Sequence, residues 1–230
     1  MSLVLHAETL WISPYVFSSF VALREKGLPF EVKEVALVDR AHQADGYRAL
    51  SITGRVPTLE HDGFSVSESS AIAEYLEEAF LPPRYPRLFP EGRTDRARAR
   101  QLMAWLRSDL GPLREERPTV SMFYDRAEHP MSVACREAVD RLIGAAEALI
   151  PPSGGPLFGT WALVDSELAL MLQRLGLNGD PLPTRVREFA QREWTRPSVR
   201  EFVEHRRPAT VPAGYWSIPG NVRPPVPAKR

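Results

Sequence analysis

Hydrophobic and polar positions change period along this chain. Leu3-Val4-Leu5 is a short apolar run that predicts a strand, followed by turn-forming residues from Thr9 to Ser13. From Pro14 to Lys26 the apolar residues fall at Val16, Phe17, Phe20, Val21 and Leu23, a helical spacing that Gly27 closes. Phe30 to Leu37 alternates enough to predict a second strand. A polar, irregular stretch from Asp39 to Thr53 then leads to a strand at Val56 to Glu60. His61-Asp62-Gly63 reads as a hairpin turn into Phe64-Ser65-Val66. Ser69 to Phe80 is a clear helix, with Ile72, Tyr75, Leu76 and Phe80 on one face. The order β-α-β-(α)-β-β-α over residues 1–81 predicts an α/β domain.

The pattern then changes. Leu81-Pro82-Pro83-Arg84-Tyr85-Pro86 cannot continue a helix and marks a boundary between residues 81 and 93. Residues 93–206 read as all-helical. Arg93 to Leu113 carries an apolar stripe of Leu102, Met103, Leu106, Leu110 and Leu113, and further helices are expected at Ser132–Ile150, Asp165–Leu177 and Arg185–Trp194. The last segment, 207–230, is rich in proline and has no helical period, so an extended tail is expected.

Composition narrows the function. The chain has 230 residues, 43% hydrophobic and 25% charged, with 29 basic and 29 acidic residues, the profile of an ordinary globular protein. Net neutrality argues against a nucleic-acid partner. The charge is nevertheless divided: residues 1–90 carry 8 Lys/Arg against 12 Asp/Glu, and the remainder carries 21 against 17. One cysteine, Cys135, excludes an internal disulfide and any zinc site of paired cysteines. The five histidines never fall at metal-ligand spacing, so no metal is expected. Met1 to Trp11 lacks the features of an export signal, and no apolar run approaches the ~20 residues of a membrane span. A cytoplasmic protein without a membrane partner is the expectation.

There is no phosphate-binding glycine loop, dinucleotide fingerprint or nucleophile elbow. Three segments of the first part remain. Ser13-Pro14-Tyr15 opens a helix, Val56-Pro57 opens a strand, and Glu68-Ser69 opens the next helix. Each has a plain structural reading: an N-cap followed by proline, a proline tolerated at a strand's first position, and polar residues favoured in a first helical turn.

Together these segments resemble the glutathione transferases. The similarity is carried by Ile12-Ser13-Pro14-Tyr15-Val16, Gly54-Arg55-Val56-Pro57-Thr58-Leu59 and Glu68-Ser69-Ser70-Ala71-Ile72-Ala73-Glu74-Tyr75-Leu76. Ala104-Trp105-Leu106-Arg107-Ser108-Asp109-Leu110 with Arg114-Glu115-Glu116-Arg117-Pro118 is similar to the bacterial, serine-type YfcF-like branch. The resemblance implies a thioredoxin-like N-terminal domain binding glutathione and an all-helical C-terminal domain forming the electrophile pocket. It also implies a homodimer. Glutathione would be the cosubstrate, activated as a thiolate for attack on a small electrophile, with peroxidase or isomerase chemistry as variants. A non-catalytic glutathione- or ligand-binding stress protein on the same fold is the alternative.

Within that resemblance, a Ser13 hydroxyl at a helix N-terminus would stabilise the thiolate. A thiol of pKa ~8.5 is only about 3% ionised at pH 7, and lowering it two units requires about 2.7 kcal/mol. A hydrogen bond to a charged group, ~1.5–3 kcal/mol, with a helix terminus at ~0.3–1, supplies that. The backbone of Val56, held by a cis Pro57, would pair with the cysteinyl amide. Glu68 and Ser69 would hold the γ-glutamyl end, and His42 or Arg55 the glycyl carboxylate. Tyr15 and Trp105 are candidates for the electrophile pocket. Cysteine-type members reduce disulfides through a thiol at this helix start; here serine stands there, and Cys135 is expected to be a small apolar residue on a distant helix. Arg93, Arg100, Arg107 and Arg114, seven apart, predict a solvated or ion-paired face, with a dimer contact or pocket wall as the functional alternative. One departure is Ala162-Leu163-Val164-Asp165, where the family usually caps a helix with Ser or Thr: Asp165 must cap alone.

Overall fold

The structure is a computed structural model that describes residues 2–217; the expected tail beyond Ser217 lies outside the described residues. The chain divides into two compact units. Among the described residues, one comprises 2–89 with 197–217 and the other Pro90–Arg196.

In the first unit, β1 (Leu3–Glu8), β2 (Glu31–Val35), β3 (Thr58–His61) and β4 (Phe64–Ser67) form one sheet in the order β2-β1-β3-β4. β1 and β2 are parallel; β3 runs antiparallel to β1, and β4 antiparallel to β3. The crossover from β1 to β2 is α1 (Pro14–Glu25), and α3 (Ser69–Ala79) follows β4. This is the thioredoxin-like α/β arrangement. Its core is the interlock of sheet residues Leu5 and Leu59 with Phe17, Ile72 and Leu76 from the helices, all 0–1% exposed. Apolar side chains at helical spacing on α1 and α3 meet alternate side chains of central strands, so pattern and burial agree.

The bracketed helix of the expected order is α2 (Asp45–Leu50), six residues inside the irregular stretch after a 3₁₀ turn at Ala41–Gln43. Only Tyr47 of α2 is buried, so the helix carries no apolar stripe to read. At the other end of the sequence, α10 (Pro197–Val203) packs its Phe202 ring 5.3 Å from Phe17 and 5.8 Å from Phe20. The described part of the tail is also not wholly extended: Ala213–Ser217 forms a 3₁₀ turn.

The second unit is all-helical. The expected single helix from Arg93 to Leu113 is two: α4 (Arg93–Ser108) and α5 (Gly111–Glu116). Leu110 takes φ +60° between them, ending one helix so that Gly111-Pro112 can start another. After the four-residue α6 (Val120–Phe123) come α7 (Val133–Leu149), α8 (Leu163–Gly176) and α9 (Thr184–Trp194). α8 is buried along thirteen of its fourteen residues and is the unit's central helix. Its start follows the sequence expectation. Ala162 supplies no side-chain cap, and the Asp165 carboxylate instead accepts the N–H groups of Ala162 at 2.9 Å and Leu157 at 2.8 Å. Burial pushes the Asp165 carboxyl up to about 6.

The arginines spaced by seven are partly internal. Arg107 forks onto Glu167 at 2.5 Å through both terminal nitrogens, and Arg114 donates to the carbonyls of Leu106 and Arg107. Cys135, fully buried on α7, has its thiol pushed up to about 11, chiefly by burial. Among the described residues no helix is long and apolar enough to cross a membrane, and no cluster of side chains could hold a metal ion.

Candidate active site

Strand direction decides which segments meet. β1 ends at Glu8, β3 begins at Thr58 and β4 ends at Ser67, and the register pairs His6 with Thr58 and Thr58 with Ser67. The residues after β1, before β3 and after β4 therefore leave the sheet at one end. These are Ser13, Val56-Pro57 and Glu68-Ser69. β2 is parallel to β1, with Glu8 beside Val35, so the chain toward His42 leaves from that end as well.

Ser13 is the N-cap of α1. Its backbone is extended (φ −68°, ψ 123°), Pro14 fills the first helical position, and its Oγ accepts the Val16 N–H at 3.3 Å. A hydroxyl that accepts there keeps its own hydrogen for a further acceptor, at the end of the helix where the dipole favours an anion. Ser13 is half-buried, so that acceptor can come from outside. Tyr15, the second residue of the same helix, is 40% exposed rather than turned inward.

The loop between β1 and Ser13 is held with unusual thoroughness. Trp11 sits at φ +52°, a left-handed conformation that costs a non-glycine residue of order 1–3 kcal/mol. Its indole N–H donates to Glu34 at 3.0 Å, its ring stacks on His205 at 3.6 Å, and its carbonyl accepts from Arg207 at 2.7 Å. Beneath the loop lies Glu8, 5% exposed. One oxygen of Glu8 accepts the N–H groups of Ile12 at 2.6 Å and Ser13 at 2.7 Å; the other accepts Leu10 N–H at 2.6 Å. Burial pushes this carboxyl up to about 7 against the lowering effect of those donors.

The Val56–Pro57 bond is cis, with Pro57 buried and Val56 half-buried. Its position is fixed by hydroxyls on the preceding carbonyl. Arg55 C=O accepts from Tyr47 Oη at 2.8 Å, Ser51 Oγ at 3.1 Å and Thr58 Oγ1 at 3.2 Å. Ser51 and Thr58 are in turn bonded to Ser67 at 2.9 and 3.2 Å, one residue before Glu68. The hydroxyls of Tyr47, Ser51, Thr58 and Ser67 thus join α2, the cis turn and the start of α3. Sequence reasoning missed this network, because four scattered hydroxyls carry no local signature.

Glu68 is exposed, makes no capping bond and takes φ +71°, while Ser69 is 3% exposed at the first position of α3. Of the two basic candidates nearby in sequence, Arg55 is exposed and His42 half-buried. Burial and the Arg40 charge hold the His42 imidazole below its ordinary pKa, so it favours the neutral form. Trp105 belongs to the second unit, where its indole donates to Asp109 at 2.9 Å.

Comparison with known proteins identifies the family. Residues 12–79 match the family model for the glutathione S-transferase N-terminal domain, and residues 93–206 the model for its C-terminal domain. A glutathione transferase homolog from Burkholderia gl BGR1, solved with bound glutathione, is 41% identical with a TM-score of 0.74, covering 89% of this chain and 97% of that one. A glutathione transferase Omega 3C from Trametes versicolor is 26% identical with a TM-score of 0.68, covering 90% of this chain and 91% of its own. The maleylacetoacetate isomerase of Dictyostelium discoideum is 40% identical over 105 residues, 45% of this chain and 47% of that protein. The matched region thus spans about half the length or less of the curated relatives.

Proposed function

The chain belongs to the glutathione S-transferase family, and on that premise we propose that it is a serine-type glutathione transferase of the YfcF-like branch. It binds glutathione in the domain of residues 1–81 and activates its thiol for attack on an electrophilic small molecule. One observation carries the reading: Ser13 Oγ is the N-cap of α1, with its hydrogen unclaimed by Val16, at the end of the sheet where Val56-Pro57 and Glu68-Ser69 also emerge.

In this reading the Ser13 hydroxyl donates to the thiolate sulfur. The thiol proton leaves to solvent, the sulfur forms a bond to the electrophilic carbon, and the displaced group departs with the electron pair. Val56 offers its backbone to the cysteinyl amide, as an added strand would. Glu68 accepts from the γ-glutamyl ammonium, and Ser69 at the start of α3 meets the carboxylate there. Arg55 is the better partner for the glycyl carboxylate, because its guanidinium is always charged whereas His42 is held toward neutrality. Residues 93–206, Trp105 among them, supply the electrophile pocket. The working form is a cytoplasmic homodimer. Peroxide reduction and isomerisation draw on the same thiolate; the relative named maleylacetoacetate isomerase supports including the latter.

Retention on immobilised glutathione and a rise in melting temperature on adding glutathione test the binding site. The absence of both overturns it. A panel of alkyl and aryl halides, α,β-unsaturated carbonyls and hydroperoxides identifies the reaction; binding without turnover on any of them would favour a binding protein over an enzyme.

A further inference from the structure

Acidic side chains are rare inside a sheet. Glu8 closes β1 with its carboxylate buried, and both oxygens are used on one short stretch of backbone: Ile12 and Ser13 on one, Leu10 on the other. The three donors come from a loop whose central residue, Trp11, is held at φ +52°. In the five-residue turn between β1 and α1 the Leu10, Ile12 and Ser13 N–H groups are paired by the Glu8 carboxylate, and each left unpaired in a buried place is destabilising. Glu8 therefore determines the path by which the chain enters α1. The residue at the end of that path is Ser13, whose own N–H is one of the three donors.

We propose that Glu8 is a positioning residue for the reaction: by binding the N–H groups of Leu10, Ile12 and Ser13 it fixes the Ser13 hydroxyl where it can donate to the glutathione thiolate. The assignment rests on the reading of Ser13 given above. With the Ser13 N–H committed to Glu8 and the Val16 N–H to Ser13 Oγ, the hydroxyl hydrogen is the one donor Ser13 has left. The charged and titratable groups around the loop act on Trp11 rather than on Glu8: Glu34 on the indole, His205 on the ring and Arg207 on the carbonyl. They brace the outer side of the loop, and Glu8 braces the inner side.

The test is a double-mutant cycle in the full chain with Glu8→Gln and Ser13→Ala. In Glu8→Gln one end of the side chain becomes a donor facing the N–H groups, so one side of the loop is released. The expected result is a fall in kcat for conjugation of about tenfold, with KM for glutathione within about twofold, because Val56, Glu68 and Ser69 are untouched. The ultraviolet thiolate band of bound glutathione titrates about one unit higher. In the Ser13→Ala background the Glu8→Gln change has no further effect on either readout, since a residue acting through Ser13 has nothing left to act on. Equal falls in both backgrounds, or an unchanged thiolate titration, would overturn the proposal. If Ser13→Ala itself changes nothing, it is the role of Ser13 that falls. Should Glu8→Gln not be retained on immobilised glutathione, Glu8→Asp serves in the same cycle: it keeps the charge on a shorter stem and is expected to show the same coupling with a smaller loss.

Discussion

Lys26, immediately after α1, is an ammonium with no solvent exposure. Its Nζ donates to Glu77 Oε2 and to the carbonyl of Phe80, both at 2.8 Å, and the same Glu77 oxygen accepts the Leu88 N–H at 2.8 Å. Arg87 approaches the other oxygen at 3.9 Å. One buried ion pair thus closes α1, the end of α3 and the connection beyond it. Replacing Lys26 by Met keeps the volume of the stem and removes the charge, leaving the carboxylate buried against a single N–H and a distant guanidinium. Removing one partner of such a pair costs about 3–5 kcal/mol, which for a chain of this size lowers the melting temperature by roughly 6–20 °C. Adding Glu77→Gln removes the stranded charge while keeping an acceptor for Leu88, and recovers about half of the loss. Glutathione binding is unaffected, because a twelve-residue helix, ~18 Å long, separates this pair from Ser13. Urea unfolding of the wild type, both single variants and the double variant measures the coupling. A Lys26→Met cost below about 1 kcal/mol, or a double variant that loses the sum of the two singles, would refute the electrostatic argument.

Other outcomes follow from the same geometry. The Glu8 carboxyl, raised from 4.5 to about 7, makes the folded state hold a proton that the unfolded chain has released between those values. Stability from this group is thus full below pH 4.5 and is lost as pH rises to about 7. The stability difference between the wild type and Glu8→Gln shifts by about 3 kcal/mol in the variant's favour over that window, and a difference that stays flat in paired melts contradicts it. Tyr47→Phe removes one of three donors on the Arg55 carbonyl and the bond to Thr58; it is expected to cost about 1–2 kcal/mol and to weaken glutathione binding several-fold by calorimetry, with kcat little changed. Cys135, fully buried and with its thiol raised to about 11, is expected to react with a thiol reagent only in denaturant, and Cys135→Ala to retain full activity; rapid modification of the native protein would contradict its burial.

The sequence pattern revealed the longer elements: α3, α7 and α9 show their burial as a period, whereas α1 and α8 are buried along most of their length. It gave no bounds for α2, which buries only Tyr47, and it missed α10, which gains its place from Phe202 packing against Phe17, a contact between residues 185 apart in the chain. The α4–α5 break was written in Gly111-Pro112, but the continuing stripe through Leu113 masked it. In the site, Ser13, Val56-Pro57 and Glu68-Ser69 each sit in a recognisable local context, a helix start or a strand start. Glu8 and Tyr47 do not, because their partners are backbone groups whose direction depends on the folded loop. An acid closing an apolar strand just before a Ser-Pro helix start was the available signal for Glu8; its three donors were not.

The role of Ser13 can be read from the bound thiol itself. The ultraviolet thiolate absorbance of glutathione, titrated on the wild type and on Ser13→Ala, should show a wild-type thiol pKa about two units below that of the free thiol, with most of that shift lost in the variant although glutathione is still retained. A variant that binds glutathione and ionises it as readily as the wild type would mean that the Ser13 hydroxyl caps a helix and does nothing more.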